Sequence, residues 1–186
     1  MSFGQAIKTC FSKYFVISGR APRSEYWWFT LFLFLVGGTL GLVALFAGIG
    51  ALTTAIAGTE SDLDNVAGLA FGAMVVGLIA LVFFLAVIAP SITVLVRRFH
   101  DVGLSGWWVG GYAIANVAAG IIGGASGNDF GSVGILSVIL NLAAIASFVV
   151  TLLPSQAGAN KYGPNPLGGP SDFSTPPPPP GDYKQL

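Results

Sequence analysis

Charge is what this sequence has least of. Eight basic and eight acidic side chains make up 9% of its 186 residues, against about 25% in a soluble domain. So few charges cannot keep the surface of a 19.1 kDa globule wet, which argues against a soluble enzyme. Net charge is zero, so no field steers the chain toward nucleic acid, and no nucleic-acid partner is expected. Cysteine occurs once, at Cys10, which excludes an intrachain disulfide and a disulfide-built secreted module. One histidine with one cysteine cannot build a zinc site, so neither metal nor cofactor is expected.

What is there instead is apolar length. Hydrophobic residues reach 54% and mean hydropathy is +0.78. No Asp, Glu, Lys, Arg or His occurs in 26–59, 65–96, 102–128 or 130–160, and each stretch exceeds the roughly 20 residues that cross a bilayer as a helix. The expected fold is all-α, an integral membrane protein with four transmembrane helices over about 27–51, 67–96, 107–126 and 132–153. The second, at thirty residues and roughly 45 Å, is longer than a core near 30 Å requires. Pro90 lies inside it, removes a backbone donor and predicts a kink, with the last turn emerging into the headgroup layer. Ala55-Ile56-Ala57 fits a small-x-small cleavage pattern. The apolar run before it is about twice the length of a signal h-region, so no cleavage is expected.

Lys8, Lys13, Arg20 and Arg23 precede the first span, Arg97 and Arg98 follow the second, and Lys161 and Lys184 follow the fourth. The other two loops carry Glu60, Asp62, Asp64 and Asp129 and no basic residue. The positive-inside rule then places both termini in the cytoplasm. Three regions are expected: a cytoplasmic N-terminal segment (1–25), a membrane domain (26–154) and a cytoplasmic tail (155–186). In the first, Phe3, Ile7, Cys10, Phe11 and Tyr14 recur at helical spacing opposite Gln5, Lys8 and Ser12. Such a helix either lies among the lipid headgroups or packs on the protein's own helices. The tail ends in Pro176–Pro180, a polyproline rod that serves as a solvated extension or as the ligand of a cytoplasmic partner.

Two polar segments concentrate the chemistry. One holds Arg20, Arg23, Glu25, Trp27 and Trp28; the other holds Arg97, Arg98, His100, Asp101, Trp107 and Trp108. The shared order, two arginines, an acid and a Trp-Trp pair, is compatible with a duplicated hairpin, although the spacings differ. The four tryptophans read as interfacial anchors, apolar on one edge and wet at the NH. Four guanidinium groups against two carboxylates leave three readings. Glu25 and Asp101 clamp arginines into a structural cap, the surplus positive charge holds an anionic lipid headgroup or other phosphate, or the charges gate a transported substrate. Adjacent His100 and Asp101 point apart, and Gly103-Leu104-Ser105-Gly106 is not a nucleophile elbow, so no catalytic residue is expected. The spans lack ionisable groups at depth, which argues against a proton-coupled pump. Asn116 and Asn141 read as helix-to-helix hydrogen bonders. The pairs Gly37/Gly41, Gly68/Gly72 and Gly120/Gly124 leave close packing or a homo-oligomer open.

Three ordered motifs carry a family resemblance. Gly19-Arg20-Ala21-x-Arg23-Ser24-Glu25-Tyr26-Trp27-Trp28-Phe29, Arg97-Arg98-x-His100-Asp101-x-Gly103-x-Ser105-Gly106-Trp107-Trp108 and Gly158-x-Asn160-x-Tyr162-Gly163-x-x-Pro166 resemble the domain-of-unknown-function 805 family over roughly residues 11–166. Phe99, where leucine is expected, and the proline-rich tail depart from the pattern. The resemblance implies a small bacterial inner-membrane protein with no established activity and no catalytic residues. It also adds Asn160 and Tyr162 to the cap as members of a matched set. The expected function is a non-enzymatic module whose cytoplasmic cap binds membrane lipid headgroups or a partner protein. The alternative is a small oligomeric channel or transporter.

Overall fold

The computed structural model describes residues 1–57, 63–125 and 130–168. Pro176–Pro180, Lys184 and the loop acids Glu60, Asp62 and Asp129 lie outside the described residues. Five helices follow one another: α1 (Phe3–Ser12), α2 (Arg23–Ala57), α3 (Leu63–Asp101), α4 (Trp107–Ala125) and α5 (Phe130–Leu152). The fold is all-helical, with three helices long and apolar enough to cross a membrane and α4 a shorter apolar one. In each of the three, only 6% of the most apolar stretch is buried by the rest of the chain. Side chains such as Phe34, Phe46, Phe71 and Val82 are largely exposed. In water that surface would be untenable; in hydrocarbon it costs nothing.

The chain divides into two compact units. The first comprises Met1–Phe15 and Trp27–Ser91. Here α1 forms where the apolar spacing predicts it, with the Ser2 N–H donating to Gln5 Oε1 at 3.0 Å to satisfy one free amide of its first turn. Its apolar face packs on the protein itself. Ala6 and Cys10 are fully buried. Phe11 meets Phe29 and Phe32 edge-on, with centroids 5.9 and 6.1 Å apart, and Phe32 in turn contacts Phe83 on α3 at 6.1 Å. Gly37, one of the small residues singled out, lets Phe83 approach to 3.6 Å of its missing Cβ; Gly41, Gly68, Gly72 and Gly120 have nothing so close.

The proline of α3 finds its compensation in the same unit. Pro90 has no N–H, so the carbonyl four residues earlier, that of Ala86, loses its helical partner. The Tyr14 hydroxyl donates to that carbonyl at 2.7 Å. The helix runs unbroken through the proline to Asp101, and Arg97, Arg98, His100 and Asp101 therefore sit on its last turns rather than in a loop. An unsatisfied carbonyl near lipid has no water to fall back on. Tyr14→Phe is expected to cost about 1–3 kcal/mol of unfolding free energy. The same change in a Pro90→Ala background is expected to cost markedly less, because the helix then supplies the donor. Chemical denaturation of the four proteins checks this, and equal costs in both backgrounds would refute the link.

The second unit comprises Val16–Tyr26 and Ile92–Leu186. Its apolar nucleus is Val96, Phe99 and Val109, with Leu95 and Val150 against it, and α4 packs beside α5. α3 ends in a left-handed turn at Gly103 (φ +82°). There the Leu104 N–H reaches the Phe99 carbonyl at 2.9 Å and the Gly103 N–H reaches that of His100 at 3.0 Å, a Schellman closure that favours glycine. Gly106 lets α4 begin hard against α3, since a Cβ there would stand 2.6 Å from Val96 Cγ1. The shared Arg-Arg-acid-Trp-Trp order does not reflect a repeated structure. Glu25 and its tryptophans lie on the first turns of one helix, whereas Asp101 closes α3 and Trp107 opens α4. α2 begins at Arg23, ahead of the expected span, so Arg23 and Glu25 belong to a helix's first turn.

Candidate polar cap

All nine cap residues expected from the sequence belong to the second unit, and the fold brings them together. The helical repeat sets the local geometry. Arg98 and Asp101, three residues apart at the end of α3, lie on one face and form an ion pair. Arg97, one residue round, instead meets Glu25, its Nη1 donating to Oε1 at 2.6 Å. The loop before α2 docks on the same helix end, the Ala21 N–H donating to the Arg97 carbonyl at 3.0 Å. This delivers Arg20, whose Nε donates to Asp101 Oδ1 at 3.0 Å.

The cluster is dry. Arg97, Arg98 and Asp101 are 0% exposed, Glu25 2% and Arg20 6%. Buried ion pairs survive only where further hydrogen bonds meet the desolvation cost, and most of these residues have them. Asp101 serves three donors, since Oδ2 accepts from Arg98 and from the Ser155 hydroxyl, the latter at 2.5 Å. Arg20 also donates to the carbonyls of Gly158 and Gln156, both at 2.6 Å. Arg98 donates to the carbonyls of Thr151 and Leu153. Arg97 is the exception: its Nε and Nη2 have no acceptor among the described residues.

Three buried arginines face two buried carboxylates, a surplus of one positive charge, and backbone carbonyls take guanidinium donors that the carboxylates leave. α3 and α5 both end in this unit, and the last carbonyls of a helix are ready acceptors. At the end of α3, Asp101 O accepts the Gln156 N–H at 2.9 Å, and His100 O accepts Asn160 Nδ2 at 2.9 Å. At the end of α5, Leu153 O accepts from Arg98 and from Arg23 Nε, the second at 2.6 Å. α2 and α4 begin in the same unit, and their N-termini offset the partial charge of these two ends, so the carbonyls supply hydrogen bonds and not net charge. Arg23 is exposed on the rim.

The third motif closes the cap. Asn160 and Gly163 exchange two backbone hydrogen bonds of 3.0 Å, and Asn160 Oδ1 accepts the Tyr162 N–H at 2.9 Å. That turn lays the Tyr162 ring flat on His100, centroids 3.8 Å apart and planes within 5°. His100 Nδ1 lies 3.2 Å from the Gly19 carbonyl. Since a carbonyl only accepts, that nitrogen carries the proton. Ser105 Oγ accepts the Trp107 N–H at 3.4 Å at the start of α4. Of the tryptophans, Trp107 and Trp108 are widely exposed. Trp28, in the first unit, is partly exposed and donates from Nε1 to the Met1 carbonyl at 3.1 Å; Trp27 is half-buried. Sequence reasoning missed Ser155, Gln156 and the carbonyls of Thr151, Leu153 and Gly158. Only Ser155 and Gln156, polar residues directly after Pro154 at the end of a span, leave any trace in the residue types.

The family described as "Protein of unknown function (DUF805)" matches residues 14–164, which include the first two motifs and the third through Gly163. The chain is 28% identical over 95 residues to the inner membrane protein YhaI of Escherichia coli K12, and likewise to that of Escherichia coli O157:H7. The match covers 51% of this chain and 59% of each relative. No solved structure matches.

Proposed function

The chain belongs to the DUF805 family and is a multi-pass bacterial inner-membrane protein, and on that footing we propose a non-enzymatic membrane module whose cytoplasmic cap binds anionic lipid headgroups. It crosses the membrane four times with both ends in the cytoplasm. The nineteen residues of α4 rise about 28 Å, close to the thickness of the hydrocarbon core, so α4 serves as the span between α3 and α5. An even number of spans keeps all eight basic residues on one side, as charge asymmetry favours. A reporter fused after Leu186 is then expected to fluoresce as green fluorescent protein and to be inactive as alkaline phosphatase. The reverse pattern would remove the four-span arrangement.

One observation carries the lipid reading. Arg20, Arg97 and Arg98 are buried against the protein's own carboxylates and carbonyls, so the cap folds without a ligand, while Arg23 and Lys161 remain exposed cations. Near an anionic leaflet each such cation contributes about 1 kcal/mol of attraction. The non-enzymatic part is supported by His100, whose ring face is covered by Tyr162 and whose proton is engaged by Gly19. In detergent, added phosphatidylglycerol is expected to raise the unfolding temperature and phosphatidylcholine to leave it unchanged, with the difference shrinking as salt rises. Equal shifts with both lipids would refute the reading.

A further inference from the structure

The second unit has a cleft of about 350 Å³ lined by Pro22, Arg23, Ser24, Pro154, Ser155 and Leu167. Its chemistry is uneven: two prolines and a leucine make apolar walls, and Arg23 supplies the only charge in the lining. The Ser155 hydroxyl is committed to Asp101 Oδ2, leaving Arg23 and Ser24 as the side-chain donors. We infer that this cleft holds the phosphate of an anionic phospholipid, with the Arg23 guanidinium as its recognition element. The inference rests on the lipid reading above and locates it.

Charge matching singles out Arg23. Of the four arginines in this unit, three have a carboxylate partner; among the described residues Arg23 has none. It is also held in place, because its Nε donates to the Leu153 carbonyl at 2.6 Å. Arg98 donates to that same carbonyl, so two like charges converge on one oxygen, and of the two only Arg98 pairs with Asp101. An anion beside Arg23 would meet that unmatched charge. With Nε tethered, the Nη1 and Nη2 groups have no partner among the described residues, and a guanidinium offered this way fits two phosphate oxygens side by side. Arg23 lies four residues before the start of the expected first span at Trp27, the level at which headgroup phosphates sit. The apolar walls suit the glycerol and first methylenes of a lipid better than a fully hydrated soluble phosphate.

Native mass spectrometry of the full-length protein in detergent, titrated with short-chain phosphatidylglycerol, tests this. Arg23→Ala is expected to weaken binding about tenfold or more, as loss of a charge-assisted pair does. Leu167→Trp, which fills the cleft and leaves every charge in place, is expected to do the same. Lys8→Ala, an exposed cation outside the cleft lining, is expected to have little effect. Wild-type affinity in both Arg23→Ala and Leu167→Trp would overturn the assignment while leaving lipid binding elsewhere intact. Equal wild-type binding of phosphatidylglycerol and phosphatidylcholine would instead refute the lipid reading itself. Displacement of the lipid by equimolar glycerol phosphate would overturn the commitment to a membrane ligand.

Discussion

Asp101→Ala is expected to destabilise the protein by about 3–5 kcal/mol, the usual result of removing one partner from a buried ionic cluster. The carboxylate is fully buried and accepts from Arg20, Arg98 and Ser155 at once. Its loss leaves two guanidinium groups facing each other in a dry site. It also frees the segment after α5, because Arg20 orients both the 156–158 backbone and Asp101. Asp101→Asn keeps the shape and some of the hydrogen bonding but not the charge, and is expected to fall between alanine and wild type. Thermal unfolding of the detergent-solubilised protein, together with its level in membranes, measures both. An alanine variant that unfolds at the wild-type temperature would show that the three donors do not depend on this carboxylate.

Glu25 and Arg97 are expected to behave differently, because the Arg97 guanidinium is only partly matched among the described residues. Arg97 is wholly buried, yet only Nη1 is matched, by Glu25 Oε1. Glu25→Leu alone removes that acceptor and leaves the whole guanidinium without a side-chain partner, at about 3–5 kcal/mol. Arg97→Met alone takes the Arg97 cation from the buried Glu25 carboxylate, at a similar cost. The double variant Glu25→Leu/Arg97→Met removes both charges and the two unmatched donors together. It is expected to be near wild-type stability or above it, as apolar replacement of buried ion pairs often is. A coupling of about 2 kcal/mol or more in the double-mutant cycle is the expected signature. Additive losses would mean the two side chains do not act as a pair.

The cap was partly legible from residue types alone. Arginines and acids bunched at two chain positions, and a third motif matched with them, mark a polar assembly wherever the chain puts it. What could not be read was the pairing. Glu25 and Asp101 as one-to-one clamps is the natural expectation, but the structure gives Asp101 two arginines and Arg23 no carboxylate among the described residues. Tyr14 illustrates the same limit. Its helical spacing marks it as an apolar-face residue, while its partner is a backbone carbonyl 72 residues away, released by a proline.

Membrane residence, the all-helical class, the family and the start of α4 at Trp107 were determined by the sequence itself. They depend on the absence of charge over long stretches and on motif order, both properties of side chains along one dimension. Only the tertiary structure decided that three of the arginines are buried and that Arg23, among the described residues, has no carboxylate partner. The acceptors that complete the cluster are carbonyls at and beyond the ends of α3 and α5, and every residue carries a carbonyl. Nothing in the identity of Thr151, Leu153 or Gly158 marks it as an acceptor until two helix ends meet the same guanidinium groups.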